Sequence, residues 1–134
     1  MANEAVLKIE THIPINYTVS TTVTIEKGAI VKMTNPMTAV LSTSANQIVA
    51  GIVQSEKLAA ETSQNSVSVY RGGVFRVKVS GSVSVGDPVT TGATANYVLK
   101  ASTNNENIIG IMLENGTEGQ TKLMELRPTT MQLA

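Results

Sequence analysis

The sequence predicts an all-β fold, a small barrel or β-tulip-like sandwich of short strands. Three observations lead there. Apolar residues recur with a period of two along most of the chain, the spacing of strands with one buried face. Turn signals built on Gly, Pro and Asn interrupt that alternation about every ten residues. Aromatic residues make up only 3% of the chain, so the core must be built from Val, Ile, Leu, Met and Ala. The β-branched members of that set, with the abundant Thr, suit a pleated surface.

Taken in order, Ala5–Glu10 alternates Leu7 and Ile9 with Lys8 and Glu10. Pro14 lacks an N–H for a ladder, so His12–Asn16 belongs to an edge or an extended segment. Residues 1–16 therefore read as an N-terminal arm lying on another surface, or as a frayed edge strand. Strands are expected over Tyr17–Thr24, Ala29–Thr34, Thr38–Leu41 and Gln47–Gln54, the last with Gly51 at its centre. Glu56–Glu61 alone has helix-forming composition and predicts one short helix of a turn or two. Ser66–Tyr70 and Val74–Val79 alternate cleanly around a bend or bulge at Arg71-Gly72-Gly73. Short strands follow at Val89–Thr91, Tyr97–Lys100, Ile108–Leu113 and Thr121–Arg127, with a loop at Thr103–Asn107 and Pro128 ending the last strand.

Two stretches resemble each other. Lys27-Gly28-Ala29-Ile30-Val31 matches Val85-Gly86-Asp87-Pro88-Val89, and each leads to an apolar strand centred on glycine, at Gly51 and at Gly110. Glycine weakens a strand unless a bulge, a bend or a close backbone approach requires it, so the matched positions suggest a repeated barrel corner. The alternative is coincidence among similar short segments. The organisation expected is an arm over 1–16, one β domain over 17–128 with pseudo-repeats of about 25–79 and 83–128, and a C-terminal tail over 129–134.

The composition argues against several functions. The absence of Cys excludes disulfide scaffolds, thiolate metal sites and cysteine nucleophiles. Ten basic residues balance ten acidic ones, which gives no surplus charge for phosphate backbones, so nucleic-acid binding is not expected. Charged residues are 15% of the chain, against about 25% in ordinary globular proteins, and a low-charge surface favours assembly. No run is long enough for a membrane helix, and Met1–Glu10 has no apolar stretch of signal-peptide length, so no targeting segment is expected.

Catalytic equipment is sparse. The single histidine, His12, lies in the arm, and the single aspartate, Asp87, lies in a Gly-Asp-Pro turn where its side chain is expected to cap the chain locally. The glutamates are scattered, with no spacing suited to a metal. Arg71-Gly72-Gly73 lacks the Gly-Lys-Ser/Thr ending of a phosphate loop. No catalytic residue, metal or cofactor is expected, and the protein is read as a non-enzyme.

The order of motifs resembles a known family. An extended arm is followed by Lys27-Gly28-x-Ile30-Val31, Val49-Ala50-Gly51-Ile52-Val53, Val69-Tyr70-Arg71-Gly72-Gly73-Val74-Phe75, Val85-Gly86-Asp87-Pro88-Val89 and Ile109-Gly110-Ile111-Met112. Over about residues 25–128 this is similar to the head decoration proteins of tailed bacterial viruses, the lambda-type capsid-stabilising or cement proteins and their relatives. The resemblance implies a homotrimer on the outer surface of an expanded capsid, assembled in the host cytoplasm, with the major capsid protein as partner. It also implies that the arm adds a strand to that partner, through Ala5, Val6, Leu7, Ile9, His12, Ile13, Pro14 and Ile15. Two other readings stay open: a structural β domain of a phage tail or baseplate, and a β-barrel that binds a small ligand or glycan.

Overall fold

A computed structural model describes residues 3–102 and 107–130. Among the described residues there are eleven strands, ten of which make two five-stranded barrels in tandem. The first contains β2 (Ile15–Thr18), β3 (Ile30–Asn35), β4 (Thr38–Leu41), β5 (Val49–Val53) and β6 (Ser66–Tyr70). The second contains β7 (Gly73–Ser80), β8 (Pro88–Thr91), β9 (Tyr97–Lys100), β10 (Asn107–Met112) and β11 (Thr121–Thr130). Strand β1 (Val6–Ile9) adds to the edge of β7. Of the two expected architectures, the small barrel is the one formed, twice over.

The barrels share one topology. The parallel pair β2–β4 corresponds to β7–β9, and the antiparallel pairs β2–β6, β3–β4, β3–β5 and β5–β6 correspond to β7–β11, β8–β9, β8–β10 and β10–β11. The match extends to single residues. Val31 opposes Gly51 as Val89 opposes Gly110. Gly28 N donates to Val53 O and Gly86 N to Met112 O, both at 2.8 Å. The two turn glycines have φ of 86° and 87°, left-handed values that suit a residue without Cβ. The expected duplication is present, but its halves fall differently from the expected limits. Val74–Val79, expected to end the first half, forms β7 and closes the second barrel by pairing with both β11 and β9. Alternation alone shows which face of a strand is buried, not which edges it pairs with.

The mid-strand glycines have a steric cause. A Cβ on Gly51 would collide with the Tyr70 carbonyl oxygen, and one on Gly110 with that of Glu125. At both positions the next strand's backbone passes where a side chain would stand.

Two apolar clusters result. One fills the first barrel with Tyr17, Val19, Val31, Val53, Val67 and Val69 among others. The other fills the second barrel around Phe75, Val77, Ile109, Met112 and Met124, and it extends to Ile30, Val49, Ile52 and Tyr70 of the first barrel. Strand β5 is buried along its whole length because it faces both clusters, which is why it reads as a continuous apolar run.

The helix expected at Glu56–Glu61 is absent, and the reason is local competition for its backbone donors. Lys57 forms a two-way bridge with Ile25, Leu58 N donates to Glu61 Oε1, and Ala59 N donates to Thr24 Oγ1. The Lys57 side chain is fully buried, and its Nζ donates to the carbonyls of Thr21, Val23 and Leu58 at 3.0–3.1 Å. Those bonds outweigh a weak intrinsic helix propensity.

Pro128 does not end the last strand, which continues to Thr130. Arg127 and Pro128 together oppose Ile109 in a bulge, a place where a missing N–H costs nothing. Residues 103–106 of the expected loop and 131–134 of the expected tail lie outside the described residues.

Replacing Lys57 with Met leaves three carbonyls without their donor. Urea denaturation is expected to show a loss of at least about 3 kcal/mol, since each of the three unsatisfied carbonyls costs about 1–3. Gly110→Ala is expected to lose a similar amount, about 1–3 kcal/mol from overpacking, because its Cβ meets backbone rather than a flexible side chain.

Candidate functional site

The arm residues are held against their own protein. Ala5 is buried, and its N–H donates to the Gly28 carbonyl at 2.8 Å. A Cβ on Gly28 would occupy the position of the Ala5 carbonyl, so the turn glycine also makes room for the arm. Val6 then opposes Arg76 and Leu7 opposes Phe75. A bulge at this point places Ile9 opposite Val74. It adds one residue to β1 and breaks the alternation, so Leu7 packs on the core while Ile9 is 57% exposed.

Three further contacts anchor the arm. Asn96 Nδ2 donates to Glu4 Oε2 at 3.3 Å, while Asn96 Oδ1 accepts from Ile30 N at 3.0 Å. This one amide joins the arm, the first barrel and the β8–β9 turn. Tyr70 Oη donates to Glu10 Oε2 at 2.6 Å, and Tyr70 meets Phe75 edge-on at 5.7 Å between ring centres. The His12 ring lies over Gly72, where any Cβ would strike it, and His12 Nδ1 is 2.8 Å from Thr11 Oγ1. At the barrel junction, Arg71 Nη1 donates to the carbonyls of Ala50 and Val49 and to Tyr17 Oη.

Two of these groups have displaced pKa values. Burial pushes the Glu4 carboxyl above the usual carboxylate range, and the neighbouring Glu26 carboxylate adds to the shift. The hydrogen bond to Glu10 raises the Tyr70 hydroxyl, with burial acting in the same direction.

The expected arm residues thus divide. Ala5 and Leu7 face inward, and Pro14 is half-buried. Val6, Ile9, His12, Ile13 and Ile15 remain exposed, with Ile13 at 88%. Neither the Glu10–Tyr70 bond nor the role of Asn96 has a signal in the sequence, because each depends on a partner 60 or 66 residues away. Gly72 had a signal in its Gly-Gly context, but not its partner.

Edge pairing distinguishes β1 from the rest. Among the described residues it is the only strand paired on one side alone. Its outer edge carries backbone donors and acceptors flanked by the exposed Val6 and Ile9. Between the arm and the first barrel lies a half-open cleft of about 800 Å³, lined by Glu4, Leu7, Lys27, Gln54, Tyr70 and Phe75 among others. Asp87 caps its own turn, with Oδ2 accepting from Ser84 N at 2.9 Å, as the sequence suggested. Among the described residues no three His, Asp or Glu side chains are grouped to hold a metal, and no helix is long and apolar enough to cross a membrane.

Comparison with known proteins matches residues 9–127 to the family model of phage cement proteins. The chain belongs to that family. It is therefore a structural protein associated with the phage capsid. The crystal structure of the head fiber gp8.5 N base in bacteriophage phi29 has a similar fold, with a TM-score of 0.56 at 13% identity. The alignment covers 90% of this chain and 98% of that one. No curated protein matches in sequence. The phage head resemblance read from the glycine-centred motifs is borne out at the level of the family.

The arm anchor has a pH signature. A carboxyl whose pKa is raised by folding contributes stability below its unfolded pKa, and that contribution is lost as pH rises through the folded pKa. Glu4→Gln is therefore expected to gain stability relative to wild type as pH rises above 4.5. Amide exchange at Ala5–Ile9, compared between the two proteins at acidic and neutral pH, would show this. A difference that does not change with pH would contradict the assignment.

Proposed function

We propose that this cement protein binds the outside of an expanded phage shell and stabilises it by bridging neighbouring major capsid subunits. A strand is shared between the arm and the capsid protein. The observation that carries this reading is the unpaired outer edge of β1, with Val6 and Ile9 exposed beside it and Ile13 beyond it. A capsid strand added there extends the sheet by main-chain hydrogen bonds, while exposed aliphatic side chains supply selectivity. The arm need not leave its barrel for this. It stays anchored through Ala5, Glu4 and Glu10 and offers its far side.

The mechanical effect follows from linkage. A protein that binds the expanded shell and not its precursor stabilises the expanded form in proportion to the logarithm of its concentration over its dissociation constant. No reaction is required, and the family is a structural one. A homotrimer at the three-fold positions of the shell suits such bridging, and light scattering coupled to size exclusion would measure it.

The reading predicts the behaviour of an Ile9→Asp, Ile13→Asp double variant. Both side chains are exposed, so the melting temperature is expected to stay near that of wild type. Co-sedimentation with expanded shells of the phage is expected to weaken by about tenfold or more, from lost apolar contact and buried charge. Undiminished binding would remove the arm from the interface.

A further inference from the structure

The duplication places two copies of one backbone feature in the molecule, and among the described residues only one of them is covered. In the first barrel, the carbonyl of Gly28 accepts the Ala5 N–H, and the arm lies across the turn. In the second barrel, Gly86 has the same φ and makes the corresponding bond to Met112 O. Yet no described residue donates to the Gly86 carbonyl, and a Cβ placed there meets nothing within 4 Å.

The residues around the two turns differ in an informative direction. Lys27 and Gln54 flank the covered turn, and their equivalents at the open turn are Val85 and Leu113. Val85 is 64% exposed and Leu113 is 39% exposed. They sit together, because the Gly86–Met112 bond joins the residues that follow and precede them, and Asn115 Oδ1 accepts from Val85 N. An uncovered position is the place where polar side chains are expected. Here the covered turn has the polar pair and the open turn the apolar pair.

We infer that the Val85–Gly86–Leu113 ledge is a second docking surface, and that it receives an extended segment of the major capsid protein. The occupant's chemistry is read from the first barrel, where the same turn holds an extended segment, Glu4-Ala5-Val6, by a backbone N–H to the glycine carbonyl, with a small side chain at the crossing. The shell segment presents an N–H to Gly86 O in the same way and lays aliphatic side chains against Val85 and Leu113. The chain's own arm is not available for this, since Ala5 is already bonded to Gly28. This inference rests on the capsid-binding reading and adds a contact on the second barrel, apart from β1. Two separate contacts on one protein are what bridging requires.

The test places the first repeat's residues in the second. Val85→Lys with Leu113→Gln installs side chains that the first barrel already carries at these positions, so the variant is expected to melt with wild type. Its binding to expanded shells of the phage, measured by co-sedimentation, is expected to fall about tenfold or more from lost aliphatic burial. Its mass in solution is expected to be unchanged, and amide exchange at Val85–Asp87 in wild type is expected to slow when shells are added. If wild type binds shells, the Ile9→Asp, Ile13→Asp variant does not and the ledge variant binds undiminished, the ledge inference alone falls. If the ledge variant changes the solution mass, the ledge is a contact between copies and the inference is overturned. If wild type fails to bind shells at all, the capsid-binding reading falls with it.

Discussion

In each five-stranded barrel one backbone passes closer to its neighbour than a side chain would allow. Gly51 and Gly110 supply that approach, each under a carbonyl of the following strand. Much else depends on it. The close crossing lets β5 lie between two cores, with Val49 and Ile52 on one side and Ala50 and Val53 on the other. That shared strand makes the packing of the two barrels continuous. The arm then crosses the junction, with Glu4 and Asn96 tying all three parts together.

Duplication set the frame, and the two copies then differ in what covers their equivalent positions. The bridge between Ile25 and Lys57 recurs as that between Val83 and Gly116. In the first copy a buried ammonium organises the loop carbonyls of Thr21 and Val23. In the second the glycine leaves room for the stem of Lys122. The arm covers the first turn glycine, and nothing described covers the second. A protein with one anchored edge strand and one open turn presents two different surfaces from nearly the same backbone. That is the asymmetry on which the proposed bridging of two capsid neighbours rests.

Much of the fold was legible, and the failures share a cause. The strands announced themselves by alternation, and the repeat by its glycines. The helix expected at Glu56–Glu61 failed because its composition describes a free peptide, while Ile25 and Thr24 claim the donors that a helix would use. Pro128 reads locally as a terminator, because its tolerance depends on a bulge opposite Ile109 that no local feature reveals. Of the arm, the sequence showed an extended segment with exposed aliphatic residues. It did not show that Leu7 and Ile9, two residues apart, would face opposite ways.

The sequence by itself determined the β class, the family and the absence of thiol chemistry. The class and the missing thiols follow from composition and short-range periodicity, and the family from the order of short motifs; all of these survive without knowledge of partners. Only the tertiary structure decided that β7 belongs to the second barrel, that the arm docks on its own protein, and which edge and which turn are left open. Strand pairing joins residues far apart in the chain, and period two is blind to which edge meets which. The surfaces a cement protein presents are made of what remains unpaired, so they appear only once every other pairing is known.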